Sequence, residues 1–446
     1  MTAPCTWKLY LTCWFLGASV QSATYFSYNA VDYFNYFFPD NYKPEVYVGV
    51  TVGVAASVGA VLVVTFPPRS SHLTVLFFTL TASVILMVAE VVITPLDTRI
   101  LSSPARFGLV LAVIFAATVS QNVGGGALYS FLGKHFPKFG VHAAQSGGVF
   151  AFAATFIIRC ISKESFQYLK DTDDGFRLSG YLFVALVDLT MLVACCLIST
   201  LRTYVSQSTH AIRFDITDRE SLEDAEDKES QPLLASDEFS HVSRREIMRN
   251  NWAALTAISV ALVIASALFP GIASQFHENY NCTFAGTICQ LSNSSNIMNT
   301  AATVIPLNRS LQSGWFIVIV FGCYSIADAI GKTLPIFWIP YNKKTILWNC
   351  LVQLVTALPV LLIYFEPCVA GLQADWVAYL SVGLFGLVTG YGICAALMLL
   401  APGQRGKKHE EGLATSIGYM FLQLGMLLGM GLSVFLVDFV FEATKP

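Results

Sequence analysis

The chain has 446 residues, 55% of them hydrophobic and 12% charged, with a formal net charge of −3 and a mean hydropathy of +0.60. Average soluble domains carry about 25% charged residues, so this composition excludes a soluble domain with one greasy helix and describes a polytopic membrane protein. No basic patch suits a nucleic acid polymer. The eleven cysteines lie mostly in apolar runs, where a small buried thiol is the expected role. No Cys/His spacing suggests zinc, and neither metal nor cofactor is expected.

Apolar segments of spanning length occur at 7–29, 45–66, 73–93, 106–131, 142–160, 179–201, 251–274, 313–338, 346–364, 376–400 and 412–441. They predict an all-α bundle of about 11 transmembrane helices. The first segment imitates a secretory signal peptide, with Lys8, a short apolar run and the small residues Ser22 and Ala23; it is read as a membrane helix. An odd number of spans puts the termini on opposite sides. With the N-terminus cytosolic, Arg69, Lys134, Lys138, Arg202, Arg244, Arg245, Lys343 and Lys407 face the cytosol and the outer loops hold fewer cations, as the positive-inside bias requires. The C-terminus is then extracellular.

That orientation places 275–312 outside. This loop holds glycosylation sequons at Asn281, Asn293 and Asn308, usable only outside or in a lumen. Asn281 and Asn293 are the expected acceptors, Asn308 lying near the membrane. Cys282 and Cys289 are a candidate disulfide in an oxidising compartment, with two free thiols as the alternative. The one long polar stretch, 203–250, is dense in Asp and Glu between Asp215 and Glu238 and reads as a disordered cytosolic linker. It separates an N-terminal six-helix bundle (1–202) from a C-terminal five-helix bundle (251–446). Glu229, Leu233 and Leu234 have the spacing of an acidic dileucine sorting signal, a string also frequent in solvated linkers. A plasma-membrane address is expected, with an endolysosomal membrane as the alternative.

Asp328 and Lys332 are the main anomaly. They lie in the apolar run Ser313–Trp338, where an ionised group costs about 2.5–3.5 kcal/mol on insertion scales and marks a functional site by default. Their spacing is one helical turn, so they share a face and partly neutralise each other. A buried pair that only fixes helix packing is the competing reading. Gln121 and Asn122, followed by Gly124, Gly125 and Gly126, and Gln21 are further polar residues inside spans. Gln121 can read the edge of a heterocycle or make an interhelical hydrogen bond. Glu90 and Asp188 are candidate proton sites, or else paired or interfacial acids. Phe269-Pro270-Gly271 interrupts the seventh span. Gly147, Gly148, Gly425 and Gly429 read as helix-packing faces. No catalytic constellation appears, and Gly331-Lys332-Thr333 lacks the earlier glycine and the preceding strand of a phosphate loop. No enzymatic activity is expected.

Taken in order, these segments resemble an equilibrative nucleoside transporter over nearly the whole chain. Tyr324-Ser-Ile-Ala-Asp328-Ala-Ile-Gly331-Lys332 resembles the family's eighth-helix signature, in which Phe-Asn is followed by Asp and then Gly-Arg. Phe269-Pro270-Gly271 matches its seventh-helix element; Gln121, Gln145 to Gly148, Leu16-Gly17 and Gly390-Tyr391 fall in sequence. The departures are Ala23-Thr24-Tyr25 where the family has Pro-Trp-Asn, Ser325 for the signature Asn, and Lys332 for the signature Arg. The pocket's aromatic wall is then missing or supplied by Tyr25 or Tyr28. A lysine offers a point charge where arginine offers a planar fork, so ribose recognition is expected to be altered.

The resemblance implies a six-plus-five arrangement like the major facilitator architecture, with a site between the bundles. It implies facilitative or proton-coupled movement of purine or pyrimidine nucleosides or nucleobases across a lipid bilayer by alternating access. Asp328 and Lys332 would bind substrate with Gln121, Gln21, Tyr28 and Ser325. The alternatives are a carrier for another small solute, such as an organic cation, and a non-transporting membrane receptor.

Overall fold

The computed structural model describes residues 7–38, 42, 44–66, 71–136, 139–166, 173–223, 244–272, 279–283, 289–291, 304–308, 315–342, 344–365, 374–400 and 408–436. The first apolar segment is a broken helix: α1 (Trp7–Ser19), α2 (Ser22–Asn29) and α3 (Val31–Phe37). Five longer helices follow in the N-terminal half: α4 (Pro44–Thr65), α5 (His72–Ile93), α6 (Ser103–His135), α7 (Phe139–Glu164) and α8 (Asp173–Glu223). The C-terminal half starts with the short α9 (Arg244–Asn250) and contains α10 (Trp252–Ser266), α11 (Trp315–Thr333), α12 (Leu347–Phe365), α13 (Asp375–Leu400) and α14 (Lys408–Phe435). Ten of these helices are long and apolar enough to cross a bilayer. The first segment, expected as an eleventh span, is instead three short helices, none of spanning length by itself. In hydrocarbon every backbone N–H and C=O must be satisfied within its own segment, which is why these apolar runs become helices.

Two groups of helices result. In the first, α1 packs on α7 and α8, and α6 on α4 and α5. In the second, α13 packs on α11, α12 and α10. They meet where α14 lies against α4 and α6, and where α11 lies against α7. The outward faces remain greasy, as Phe78, Ile85, Leu189, Leu351 and Val355 illustrate, which suits contact with lipid rather than water. The first segment is no detachable leader in its packing. Leu9, Cys13 and Leu16 are buried, and a Cβ at Gly17 would collide with the Ala144 carbonyl oxygen. A Cβ at Gly147 would likewise collide with the Trp14 carbonyl oxygen, so α1 and α7 cross with their backbones almost touching. Gly425 and Gly429 play the same part between α14 and α10.

The membrane-spanning fold is all-α, as expected. A small antiparallel sheet of order β2-β1-β3, made of β1 (Asn279–Thr283), β2 (Cys289–Leu291) and β3 (Val304–Asn308), lies in the predicted outer loop. Outside the membrane water and neighbouring strands can satisfy backbone groups, so the constraint that forces helices is lifted. The stretch 203–250 is not a linker throughout. α8 continues without interruption to Glu223 and α9 covers Arg244–Asn250. Residues 203–223 contain neither Gly nor Pro, so nothing in them breaks a helix that has already been nucleated in the membrane.

One ionic cluster was not anticipated. Arg159 of α7 is buried and donates from Nε to Asp32 Oδ1 (3.0 Å) and from Nη2 to Asp32 Oδ2 (2.9 Å), while Lys163 Nζ reaches the same carboxylate at 3.1 Å. This bidentate fork ties α3 to α7 at the C-terminal end of the first segment.

Candidate functional site

Asp328 and Lys332 do form a pair. Lys332 Nζ donates to Asp328 Oδ2 at 3.2 Å, both residues being 7% exposed. The second carboxylate oxygen, Oδ1, is buried with no hydrogen-bond partner among the described residues. The pair sits where α11 crosses α13 at very short range. A Cβ at Gly390 would come within 2.6 Å of Asp328 Oδ1 and collide with the Asp328 carbonyl oxygen, and Gly331 and Gly386 permit the rest of the crossing. Glycine at 390 therefore leaves the space that the carboxylate occupies.

Rings surround this acid from both halves of the molecule. Tyr25 of α2 packs on Phe152 of α7 with centroids 4.9 Å apart. Phe269 and Tyr324 stack at 4.0 Å and 15°, and Phe152 packs against the apolar cluster that contains them. Asp328 is an electrostatic neighbour of both the Tyr25 and Tyr324 hydroxyls. Phe269 takes this position because the helix breaks there. It has φ −135° and ψ 125° inside the wide turn Ala267–Ile272 that continues α10, as the Phe-Pro-Gly string predicts.

A hydrogen-bonded contact joins the first segment, α6 and α14. Tyr419 of α14 is the hub. Its hydroxyl donates to Asn122 Oδ1 (2.7 Å) and accepts from Gln21 Nε2 (3.2 Å), and its ring stacks on Tyr129 at 4.9 Å. Tyr129 donates in turn to Gln145 Oε1. Next along the contact, Thr415 Oγ1 donates to the Tyr129 carbonyl oxygen at 3.0 Å. Tyr419→Phe keeps the ring stack and removes both hydroxyl bonds, a loss of about 1–3 kcal/mol from the closed contact. The expected result is about tenfold faster modification of Cys394, a fully buried neighbour of Asp328 and Lys332, by a small thiol reagent. An unchanged rate would show that these bonds do not hold the contact.

A profile of the nucleoside transporter family matches residues 148–438. The chain belongs to this family. The transporter is also similar to equilibrative nucleotide transporter 8 of Arabidopsis thaliana, 22% identical over 405 residues that cover 90% of this chain and 87% of the relative. Its fold is that of the major facilitator superfamily. A proton:xylose symporter of that superfamily, solved with 6-bromo-6-deoxy-D-glucose, aligns with a TM-score of 0.56 at 10% identity, covering 97% of this chain and 95% of its own. A bacterial homologue of the iron transporter ferroportin aligns at 0.55 and 13% identity, covering 97% and 92%. The molecule is a multi-pass membrane transporter.

Several candidate residues of the transporter stand elsewhere than expected. Gln121 does not face the chamber. Its Oε1 accepts from the Thr24 backbone N–H (2.9 Å) and Oγ1 (3.2 Å), and its Nε2 donates to the Ser19 carbonyl oxygen (3.0 Å), so it bridges the break between α1 and α2. These are the bonds of the interhelical alternative. Gln21 is committed to the Tyr419 contact. Ser325 bonds back to the Phe321 carbonyl oxygen at 2.8 Å, which satisfies its hydroxyl within α11. Tyr28 donates to Met430 Sδ at 3.4 Å, touching α14. Glu90 is fully buried, with Ser27 Oγ 3.1 Å from Oε1, and Asp188 is its electrostatic neighbour with Oδ1 unpartnered.

Sequence reading missed Gln353, which is fully buried in α12. It donates to the Ala261 carbonyl oxygen (2.9 Å) and to Thr389 Oγ1 (2.8 Å), while its Oε1 lacks a partner among the described residues. Its position in an apolar span was the available signal. Cys282 and Cys289 are directly paired in the register of β1 and β2, and Asn281 lies on β1. Asn293, Glu229, Leu233 and Leu234 lie outside the described residues.

Proposed function

We propose that the protein carries nucleosides or nucleobases by alternating access, with Asp328 as the polar anchor of the chamber. The observation that carries this reading is the unpartnered Asp328 Oδ1, set among Tyr25, Phe152, Phe269 and Tyr324. A flat, apolar-faced base with N–H donors on its edge suits such a place: the rings offer stacking and the carboxylate oxygen accepts. Lys332 balances the acid and, with donors to spare, can meet a substrate oxygen. Rocking of the two helix groups about the α14 and α7–α11 contacts would expose the site to either side in turn. The same rings and acid would also attract an organic cation, although Lys332 beside the acid opposes one.

Uptake of labelled adenosine, inosine, uridine and hypoxanthine into proteoliposomes tests the reading, with an organic cation as competitor. Saturable nucleoside or nucleobase flux is expected. Strong competition by the cation would favour the second carrier reading, and binding without flux would favour a receptor.

Movement down the substrate gradient is the simplest driving force. Glu90 is the candidate for coupling to protons, since among the described residues its side chain meets the Ser27 hydroxyl of the helix that carries Tyr25; Asp188 is the second candidate. Glu90→Gln keeps the shape and fixes the charge at zero. Uptake by this variant is expected to be equal with and without a pH gradient. A surviving gradient effect would remove Glu90 from the pathway and leave Asp188→Asn to be measured. The N-terminus is assigned to the cytosol and the C-terminus to the outside of a plasma or endolysosomal membrane, with Asn281 and Asn293 glycosylated and Cys282 bonded to Cys289. Their register as direct cross-strand partners supports the last pairing.

A further inference from the structure

Tyr324 stands where the eighth-helix signature has Phe, so its hydroxyl is this chain's own. It lies one helical turn before Asp328 on α11 and shares that face. Side chains of α12 and α13 fix what the hydroxyl can offer. Gln353 of α12 is fully buried, and its Nε2 reaches the Ala261 carbonyl oxygen of α10 at 2.9 Å and Thr389 Oγ1 of α13 at 2.8 Å. A carbonyl only accepts, so the amide nitrogen must face Ala261, and the same nitrogen gives its second hydrogen to Thr389. Thr389 Oγ1 therefore accepts from Gln353, and its own hydrogen goes to the Phe385 carbonyl oxygen at 2.8 Å. The Tyr324 hydroxyl lies against the Thr389 side chain. With the threonine hydrogen already committed, the tyrosine can only donate there, and it keeps its lone pairs for the other side. On that side is the Asp328 carboxylate, an electrostatic neighbour of the Tyr324 hydroxyl, whose Oδ1 has no hydrogen-bond partner among the described residues. Lys332 donates to the other oxygen, Oδ2. The Tyr25 hydroxyl, from the other half of the molecule, is a neighbour of both groups and can turn to either role. This edge of the chamber thus presents two acceptors side by side.

We propose that Asp328 Oδ1 and Tyr324 Oη together select substrates with a primary amino group on the edge of the base, with Gln353 and Thr389 as positioning residues that hold the tyrosine in its accepting role. An amino group has two hydrogens, one for each oxygen, whereas a carbonyl in the same place turns its lone pairs on theirs. A substrate without the donor also leaves a buried carboxylate oxygen unmet, and a site built around hydrogen bonds rejects such an isostere more strongly than an apolar pocket rejects a methylene. The inference rests on the reading of this chamber as a nucleoside or nucleobase site and narrows it: adenosine over inosine, and cytidine over uridine.

The test is initial-rate uptake of labelled adenosine, inosine, cytidine and uridine into proteoliposomes of the full chain, read as ratios of kcat/KM. Wild type is expected to prefer the amino member of each pair by about tenfold. Tyr324→Phe keeps the ring and removes one acceptor, and both ratios should fall about fivefold. Thr389→Val offers the tyrosine no oxygen, so its hydrogen turns onto Asp328 and the ratios should fall likewise; Thr389→Ser should keep them. Gln353→Leu releases Thr389 and should also lower them. In a Tyr324→Phe background neither Thr389→Val nor Gln353→Leu should lower them further. A purely structural lesion reduces uptake of all four substrates alike and leaves the ratios where they were. Saturable flux of all four with wild-type ratios near one overturns the inference and leaves the nucleoside reading standing. Lack of saturable flux of any of the four overturns that reading and the inference with it. A wild-type preference that survives both Tyr324→Phe and Thr389→Val removes Tyr324 from selection and overturns the inference as well. Should Gln353→Leu fail to fold, Thr389→Val against Thr389→Ser carries the positioning arm.

Discussion

Asp328→Ala is expected to abolish measurable nucleoside uptake and, separately, to destabilise the protein by about 3–5 kcal/mol, the usual result of leaving one member of a buried ion pair without the other. The two effects have different origins and can be separated. Loss of stability comes from Lys332, whose Nζ is left in an apolar crossing with no counter-charge. Loss of transport comes from the missing acceptor Oδ1, which no described residue uses. The double variant Asp328→Ala/Lys332→Met removes both charges together with the acceptor oxygen. It should recover most of the stability, since a buried pair replaced by neutral groups is often no less stable, and still fail to transport. Uptake and detergent-solubilised Tm measured on the same preparations decide the matter. Recovery of both in the double variant would mean that the pair serves packing alone.

The lysine makes a second, smaller difference. Lys332→Arg replaces a point charge with a fork that can hold two oxygens. In the closed crossing Asp328 Oδ2 takes one donor, leaving others for a substrate. The ratio of adenosine to hypoxanthine uptake is expected to rise in this variant. A ratio that does not move would detach ribose recognition from position 332.

The membrane spans were legible because the bilayer allows an apolar run of about 20 residues one backbone solution, the helix. The acid in α11 was legible for the same reason: its cost in hydrocarbon makes it conspicuous in a string of Ile, Val and Phe. Where that constraint ends, so did the reading. The outer loop could form strands because water relaxes it, and the polar stretch after Leu201 stayed helical to Glu223 because polarity reports solvation rather than backbone shape. Phe269 illustrates a middle case. The Pro-Gly that follows it announced a break, but the partner that receives its ring, Tyr324, depends on how α10 and α11 cross. The roles of the amides were hidden altogether. Gln121, Gln21 and Gln353 are all polar groups in apolar spans, and nothing local separates one that meets a ligand from one that meets a backbone. Only the fold shows that α1 ends beside α6.

Gln121→Leu should therefore be a structural lesion before it is a transport lesion. The break between α1 and α2 leaves the Ser19 carbonyl and the Thr24 N–H without partners in their own helices, and the glutamine amide supplies an N–H to the first and a C=O to the second. Each group stranded in a buried setting costs about 1–3 kcal/mol, and the leucine offers neither a donor nor an acceptor. A loss of about 2–6 kcal/mol is expected, read as a lower Tm. Because α2 carries Tyr25 and Ser27, the loosened break should also increase the substrate concentration for half-maximal uptake. Gln121→Glu separates the two halves of the bridge. A carboxylate still accepts from Thr24 but no longer donates to Ser19 when ionised, so its Tm should fall between wild type and Gln121→Leu and recover as the medium is acidified. A direct role in reading the substrate makes the opposite prediction: Gln121→Leu would keep the wild-type Tm and lose affinity alone. The shared bridge also forecasts non-additivity. Thr24→Val removes one of the two Thr24 donors to Gln121 while sparing the backbone one, so its effect on Tm should be small in wild type and nearly absent in Gln121→Leu. Additive losses in that cycle would place the Thr24 hydroxyl outside the bridge.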